Sequence, residues 1–291
     1  MKISGFTIIR NAVINDYPVV ESIRSILPIV DEMVVLVGES DDATEDLIKS
    51  IADPKIRIHR STWDMSLRTG GRVLAEETNK AFALIAPDSQ WAFYIQADEV
   101  VHEKYLPAIK EACIRYMDQP EVEGLLFKYL HFYGTYDYVG DSRKWYLHEA
   151  RVIRNKKSIV SYRDAQGFRN GSAKIKVKPI NAFMYHYGWV KNPVLMKEKQ
   201  KNVGKFWFED NPQYEKYLES VECFNFDEFD SLDKFSGTHP EVMHARIAQK
   251  NWEVNADLSK KRLSAKDQLL YRFEKITGIR PFEFRNYRIV R

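Results

Sequence analysis

The chain has 291 residues, of which 44 are basic and 41 acidic, for a net charge of +3. This near balance argues against a nucleic-acid-binding protein, and the sequence contains no apolar run long enough to predict a membrane span. The hydrophobic content of 44% suffices for one large domain, or for one domain with an appendage. The N-terminus lacks the features of a signal peptide, and Cys113 and Cys223 have no metal-binding spacing. We therefore expect a cytoplasmic protein with free thiols.

The first 60 residues alternate between two apolar patterns. Strand-like runs cover residues 3–10, 33–37 and 56–59, and helix-like runs cover 19–27 and 44–51. Strands that alternate with helices predict βαβ units and hence a parallel sheet.

The same alternation continues to about residue 132. A polar loop at 61–71 precedes a predicted helix at 72–86, an apolar strand that begins at Trp91, a helix at 104–116 and a strand at 124–132. From 133 to 190 the pattern changes to strands and long loops rich in Tyr, Arg and His, and from about 235 it becomes polar and helical.

Polar side chains follow each of the first strands. They are Arg10 and Asn11, then Glu39 and Asp41, then Arg68 in the polar loop, and finally Asp98 and Glu99 after the strand that begins at Trp91. The carboxyl ends of parallel strands share one edge of a sheet, where ligands bind. Carboxylates at this edge suit a divalent cation that holds phosphate oxygens, although Asp98 or Glu99 could instead cap a following helix.

The phosphate-binding loops of two large enzyme classes are missing from the sequence. Neither the Gly-rich fingerprint of Rossmann dehydrogenases nor the P-loop of kinases occurs. Glu39 is placed to accept hydrogen bonds from ribose hydroxyls, as an acidic residue after a strand does in dinucleotide-binding folds.

The order of these segments resembles glycosyltransferase family 2 of the GT-A fold. The resemblance rests on Arg10-Asn11, the run 31–44, the run from Gly71 to Asn79, and the run 91–103. It implies an open, mostly parallel twisted sheet flanked by helices. It also implies a catalytic domain at 1–235, with a donor half (1–103) and an acceptor half (104–235), and a C-terminal helical extension at 236–291.

The resemblance implies a site for a nucleotide-diphosphate sugar. In that family the acidic loop that ends the run 31–44 holds the base and ribose. The resemblance therefore implies that Glu39 and Asp41 bind the base and ribose here. The strand tip carries a D-x-D type motif that binds Mn²⁺ or Mg²⁺ with the diphosphate. Here Gln96 replaces the first Asp, so the metal would depend mainly on Asp98, with Glu99 in a secondary role. The full set of donor-binding candidates is Arg10, Asn11, Glu39, Asp41, Arg68, Gly71, Asn79, Gln96, Asp98, Lys191 and Lys197.

A late histidine completes the predicted metal site. His186 follows strand-like residues, and Lys191, Lys197 and Lys199 come after it. GT-A enzymes often supply a late His as a metal ligand and a basic residue beside the leaving diphosphate, and His186 resembles that ligand. The alternative is a hydrogen-bonded core histidine among Tyr185, Tyr187 and Trp189.

Family 2 resemblance implies an inverting transfer, which needs a carboxylate to deprotonate the acceptor hydroxyl. Asp164 closes a strand-like run and fits this role best, with Glu149 and Asp141 as rivals. The alternative for each is a surface salt bridge to a nearby Arg. The aromatic loop 131–138, with Trp145 and Tyr146, suits a sugar acceptor, or is simply the edge of a β-rich core.

The leading hypothesis is thus a metal-assisted inverting glycosyltransferase. Its donor would be a UDP- or GDP-linked sugar and its acceptor a glycan or a lipid-linked molecule. One alternative is a sugar nucleotidyltransferase, whose usual Gly-rich basic signature near the first strand is not present. Another is a non-catalytic carbohydrate-binding protein on a degenerate GT-A fold, which Gln96 favours.

The helix-like run 265–276 places four apolar residues on one face. They are Leu269, Leu270, Phe273 and Ile276. We expect this face to pack on the catalytic domain. A peripheral contact with the inner face of the membrane is the second interpretation.

Overall fold

The computed structural model describes residues 1–204, 206 and 212–290. The strands are β1 (Ile3–Ile9), β2 (Glu32–Gly38), β3 (Ile56–Ser61), β4 (Trp91–Tyr94), β5 (Glu99–Val101), β6 (Gly124–Gly134), β7 (Tyr138–Gly140), β8 (His148–Arg154), β9 (Ile159–Tyr162), β10 (Gly167–Asn170), β11 (Ala173–Val190), β12 (Leu232–Lys234) and β13 (Tyr287–Ile289). The α-helices are α1 (Val19–Ile26), α2 (Thr44–Lys49), α3 (Arg72–Ala83), α4 (Leu106–Arg115), α5 (Pro193–Gly204), α6 (Pro212–Ser220), α7 (His244–Ala248) and α8 (Ala265–Thr277). Short 3₁₀ helices lie at Met65–Leu67, Thr69–Gly71, Glu103–Tyr105 and Glu241–Met243.

One curled sheet organises the molecule, in the strand order β3-β2-β1-β4-β8-β6-β11-β10-β9. From β3 to β11 every strand except β8 runs in the same direction. The predicted open, mostly parallel sheet is therefore confirmed.

Helices cover both faces of the first strands because alternate apolar residues point to opposite sides. Met33 and Val35 of β2 pack with α1, α2 and α4, whereas Val34 and Leu36 pack with α3. These strands are buried along their whole length, which explains why they appear in the sequence as continuous apolar runs.

Two features of the fold differ from the sequence-based expectations. The stretch at 133–190 holds the longest strand that the structure describes, β11, which pairs with β6 and carries β5, β10 and β13 as further neighbours. In addition, no helix starts at Asp98 or Glu99, because β5 follows at once. His102 instead caps the next helical turn through its imidazole, so the helix-cap alternative for Asp98 and Glu99 is wrong.

The C-terminal segment is bound to the sheet by polar contacts and by β13, which pairs with β11. Helix α8 is tied to the β7–β8 region by a 2.7 Å ion pair between Arg143 and Glu274. Its apolar face does not pack on the catalytic domain as expected, because Leu269 is 70% and Ile276 85% exposed. The domain boundary at residue 235 stays a prediction. No helix in the described part of the chain is long and apolar enough to cross a membrane.

Candidate functional site

A cavity of 1170 Å³ opens at the carboxyl edge of the parallel strands. It lies where β1, β4 and β11 end, and α5 and the turn after β9 close its sides. Of the candidate residues from the sequence, seven line this cavity: Arg10, Asn11, Asp41, Gln96, Asp98, Asp164 and His186. Distant segments thus meet at one edge of the sheet, as the strand order predicts.

The loops after β1 and β2 are joined by reciprocal hydrogen bonds. The Asn11 amide donates to Asp41 over 3.2 Å, and the Asp41 backbone N–H donates to the Asn11 side-chain oxygen over 2.8 Å. Asn11 has a φ of 54°, a left-handed conformation that Asn tolerates better than most residues. The Arg10 guanidinium donates to the Glu39 carbonyl and lies 5.9 Å from the Trp63 ring centre. This corner offers polar atoms and an aromatic face to a ligand.

Glu39 contributes its backbone, not its carboxylate, to this corner. The carboxylate accepts a 3.0 Å hydrogen bond from Thr62 and does not line the cavity. Of these two acidic residues, Asp41 is therefore the one that lines the cavity.

Asp98 lies between two nitrogen-bearing side chains. The Lys199 ammonium is 3.5 Å from one of its oxygens, and Nε2 of His186 is 3.7 Å from the other. Burial raises the pKa of Asp98, but His186, Lys199 and Lys191 outweigh it and hold that pKa below its usual value. Burial lowers the pKa of His186 in spite of Asp98. The strand tip thus carries a buried carboxylate between an imidazole and a lysine side chain, and burial also lowers the pKa of that lysine.

Glu99 does not face the cavity, which corrects its prediction as a metal ligand. Its side chain is fully buried, and both carboxylate oxygens accept 2.8 Å hydrogen bonds from the Arg151 guanidinium. The Tyr129 hydroxyl donates to it over 2.7 Å, and the Gln96 backbone N–H over 3.1 Å. Asp98 lies in the turn before β5, whereas Glu99 begins β5 with a fully buried side chain, so only Asp98 of this pair lines the cavity.

Of the three candidate bases, Asp164 alone lines the cavity. It sits in a turn in which Arg163 and Ala165 have φ values of 56° and 61°. Within the part of the chain that the structure describes, its carboxylate has no hydrogen-bond or ion-pair partner. The amide of Gln96 donates to the Ala165 carbonyl over 3.3 Å and so links this turn to the tip of β4.

The two rivals of Asp164 have structural partners away from the cavity. Asp141 is surrounded by Lys261, Lys275 and Tyr271, which tie it to α8. Glu149 is buried behind the cavity wall and accepts a hydrogen bond from Gln166 over 3.0 Å. Burial raises the pKa of Glu149 to about 7. Neither Asp141 nor Glu149 therefore lies where the predicted general base would have to be.

The lysine that enters the cavity is Lys199, not Lys191 or Lys197. Lys191 is buried outside it and donates to the Asp16 carbonyl, and burial lowers its pKa to about 7. Lys197 donates to the Val221 carbonyl over 2.7 Å. Met196, Lys199 and Val203 lie on the inner face of α5 at helical spacing, and this periodicity in the sequence could have singled out Lys199.

The candidates from the loop at 61–71 and the next helix do not line the cavity. Gly71 donates its backbone N–H to the Phe206 carbonyl over 2.8 Å, and the side-chain oxygen of Asn79 accepts from the Ser161 backbone over 2.7 Å. Arg68 is likewise absent from the lining. Asn79 and Gly71 thus support the walls of the cavity rather than its surface.

The predicted aromatic acceptor loop divides into two parts. His131, Trp145 and Tyr146 line the cavity, with the His131 and Trp145 rings stacked at 5.1 Å. Phe132 and Tyr136 instead belong to a buried aromatic cluster with Tyr187. Trp189, which the sequence analysis named only as a neighbour of a core histidine, and Phe224, which it did not name, add two more aromatic faces to the lining.

No family model matches this chain, and no curated protein matches it. Among solved structures it is similar to S. aureus TarS, with 13% identity, 76% of this chain and 43% of that chain covered, and a TM-score of 0.40. Residues 1–349 of S. aureus TarS in complex with UDP-GlcNAc match at 12% identity and a TM-score of 0.40, over 75% of this chain and 70% of that one.

A third similar structure is glucosyl-3-phosphoglycerate synthase from Mycobacterium tuberculosis in complex with Mn²⁺ and UDP-glucose. It matches at 18% identity and a TM-score of 0.31, over 45% of this chain and 44% of that one. The chain thus spans less than half the length of the first of these TarS chains and of the synthase chain.

Proposed function

We propose that this chain is a glycosyltransferase that moves a sugar from a nucleotide-diphosphate donor to a glycan or lipid-linked acceptor. The observation that carries the proposal is a cavity that joins the Asn11–Asp41 corner, the Asp98 tip and the Asp164 carboxylate, which has no partner among the described residues. Its volume is sufficient for a ligand of this size.

In this proposal the donor lies across the edge of the sheet. The base and ribose bind at Arg10, Asn11 and Asp41, where Trp63 offers an aromatic face. The diphosphate of the UDP- or GDP-linked sugar lies near Asp98 and Lys199. The sugar then points toward Asp164, whose turn is tied to the β4 tip through Gln96.

Asp164 is proposed to act as the general base of an inverting transfer. Its carboxylate takes the proton of the acceptor hydroxyl as that oxygen attacks the anomeric carbon from the face opposite the diphosphate. The stacked His131 and Trp145 rings, with Tyr146, form the wall against which an acceptor sugar packs. The metal-assisted form of the hypothesis depends on Asp98 and His186, because Glu99 is engaged with Arg151.

Substitution of Asp164 tests the proposal. We expect Asp164→Asn to lower the rate of transfer by roughly 10²- to 10⁴-fold, because the proton acceptor is lost, while donor binding is unchanged. Turnover in a screen of UDP- and GDP-sugars and calorimetric titration with UDP and GDP measure the two effects. The matched control is Asp118→Asn, an exposed carboxylate outside the cavity.

Three outcomes would contradict this reading. A loss of transfer in Glu149→Gln but not in Asp164→Asn would make Glu149 the base. Nucleotide-sugar synthesis from a sugar phosphate and a nucleoside triphosphate would identify a nucleotidyltransferase. Carbohydrate binding without any nucleotide binding would identify a non-catalytic protein.

We also propose that the C-terminal segment contacts the inner face of a membrane. Its exposed apolar side chains are Leu269, Phe273, Ile276, Ile279, Phe282, Phe284 and Ile289. Its exposed charged side chains among residues 265–290 are all basic: Lys266, Arg272, Lys275, Arg285 and Arg288. Apolar and basic groups on one surface match the anionic lipids of the cytoplasmic leaflet, where lipid-linked acceptors are reached.

A further inference from the structure

We infer that His131 is a positioning residue that fixes the tautomer of His186, so that Nε2 of His186 presents its lone pair to a divalent cation held together with Asp98. The inference rests on the proposed donor site and deepens its metal-assisted form. The resemblance implies only that His186 is a ligand. The role of His131 follows from the hydrogen bonds around the two imidazole rings.

The side chains at the strand tip fit a divalent cation. Nε2 of His186 is 3.7 Å from one oxygen of Asp98, which is beyond the length of a hydrogen bond. The other Asp98 oxygen faces Lys199 over 3.5 Å. One carboxylate oxygen and one imidazole nitrogen suit Mn²⁺. Within residues 1–204, 206 and 212–290, no three His, Cys, Asp or Glu side chains come together to hold an ion, so phosphate oxygens of the donor would supply the remaining ligands.

A backbone carbonyl determines which nitrogen of His131 carries the hydrogen. Nε2 of His131 is 2.8 Å from the carbonyl oxygen of Tyr146, which can only accept. Nε2 therefore donates, and in a neutral imidazole Nδ1 is left as an acceptor. The ring is 3% exposed and stacks with the rings of Tyr129 and Trp145 at 5.4 and 5.1 Å. Such an apolar setting favours the uncharged form of the imidazole.

The tautomer of His131 determines that of His186. The two residues are partners in the register of β6 and β11, and their Nδ1 atoms are 3.4 Å apart. Because Nδ1 of His131 can only accept, the hydrogen in this contact belongs to Nδ1 of His186. Nε2 of a neutral His186 then has a free electron pair, and this is the nitrogen that faces Asp98. A hydrogen on that nitrogen would instead point at the place of the cation.

His131 thus acts on the donor site through His186. A bound cation would offset the charge that develops on the leaving diphosphate. His131 does not contact that cation. Its hydrogen bond holds the His186 ring in one orientation and one tautomer, as residues behind a metal ligand do in many metal sites.

Nuclear magnetic resonance of the histidine ring nitrogens tests the tautomers directly. In the wild-type chain labelled with ¹⁵N-histidine, in EDTA and without nucleotide, we expect the hydrogen of His186 on Nδ1 and that of His131 on Nε2. The chain has 7 histidines, and the signals lost in His131→Phe and in His186→Phe assign the two rings. A hydrogen on Nε2 of His186 in the wild type would overturn the inference.

Calorimetric titration with Mn²⁺, without nucleotide and with saturating UDP or GDP, measures the consequence for the site. His131→Phe keeps an aromatic ring but removes both nitrogens, and we expect it to weaken Mn²⁺ binding by roughly 10- to 100-fold. His131→Asn offers a side-chain oxygen near the position of Nδ1 and should bind Mn²⁺ more tightly than His131→Phe. The matched control is His244→Phe, which changes an exposed histidine outside the cavity and should bind Mn²⁺ like the wild type.

The possible results separate the inference from the proposed function. Full Mn²⁺ affinity in His131→Phe, or no binding of Mn²⁺ to the wild type in any of these titrations, would overturn the inference. UDP or GDP binding together with sugar transfer would then leave the proposed function in place. No binding of either nucleotide would overturn the proposed function, whereas the tautomers are measured without nucleotide. Because they are measured in the wild type, a folding defect in His131→Phe does not remove the test.

Discussion

Adjacent carboxylates at the tip of β4 have opposite surroundings. Asp98 faces the cavity with Lys199 and His186, whereas Glu99 is fully buried against Arg151. The Arg151 guanidinium also lies 5.4 Å from the centre of the Tyr94 ring and 5.3 Å from that of Tyr129. One residue of the pair therefore faces the cavity and the other supports the cavity from behind.

The buried pair is the basis of a prediction on stability. Glu99→Gln leaves the Arg151 charge buried without a counter-ion, and we expect it to lower the free energy of unfolding by about 3–5 kcal/mol. Urea unfolding followed by circular dichroism measures the change. Glu111→Gln, which removes an exposed i,i+4 pair with Arg115, should cause a much smaller loss. An equal loss in both variants would contradict this account.

Glu149 provides a prediction on pH dependence. Burial raises its pKa from 4.5 to about 7 in the folded chain, so between these values the folded state keeps a proton that the unfolded state has released. The free energy of unfolding should therefore fall as the pH rises from 4.5 to 7, by about 3 kcal/mol for this group.

Comparison of the wild type with Glu149→Gln isolates that contribution. The variant cannot ionise at this position, so its stability should fall less over the same pH range in parallel urea titrations. Other groups titrate in both proteins and cancel in the difference. Parallel pH profiles for the two proteins would mean that Glu149 ionises normally.

Among the described strands, β11 contributes most to the cavity lining, with His186, Gly188 and Trp189. It pairs with β6 along most of its length and carries a register shift between His186 and Trp189. This irregularity brings the Gly188 backbone against the strand tip, and its carbonyl accepts the hydrogen bond from Lys199.

Gly188 lies so close to Asp98 and His186 that a larger residue at this position should weaken nucleotide binding. A Cβ at this position would be 2.6 Å from an Asp98 carboxylate oxygen and 2.7 Å from the His186 ring. Gly188→Ala should therefore displace Asp98 and weaken UDP or GDP binding by about tenfold or more. Calorimetry measures the affinity, and a thermal melt shows whether the fold is retained. Unchanged affinity would mean that Asp98 does not contact the donor.

At the scale of the whole molecule, the cavity and the C-terminal surface have different chemistry. The cavity is lined by polar and aromatic side chains at the edge of the sheet, while residues 265–290 expose apolar and basic side chains. Phe282 is 90% exposed and has a φ of 60°. A strained backbone that exposes a phenyl ring to water is consistent with a contact surface.

Vesicle binding tests this surface. We expect the chain to co-sediment with vesicles that contain anionic phospholipid, more weakly with neutral vesicles, and less as salt is raised. The double substitution Ile276→Ser and Phe282→Ser should reduce binding to anionic vesicles by about tenfold or more, because the apolar contribution is lost. The control is Val13→Ser, which changes an exposed apolar residue that is distant in sequence from the C-terminal segment. A concentration-dependent dimer without vesicle binding would assign the surface to a second copy of the chain.

The sequence by itself determined the parallel sheet, the helices that flank it, and the edge where Asn11, Asp41 and Asp98 meet. Those features follow from local apolar periodicity and from the rule that strand ends share an edge. Only the tertiary structure decided which charged side chains enter the cavity. The partner of Glu99 is 52 residues away in the chain and that of Asp98 is 101 residues away, so no local pattern could distinguish the buried ion pair from the ligand site.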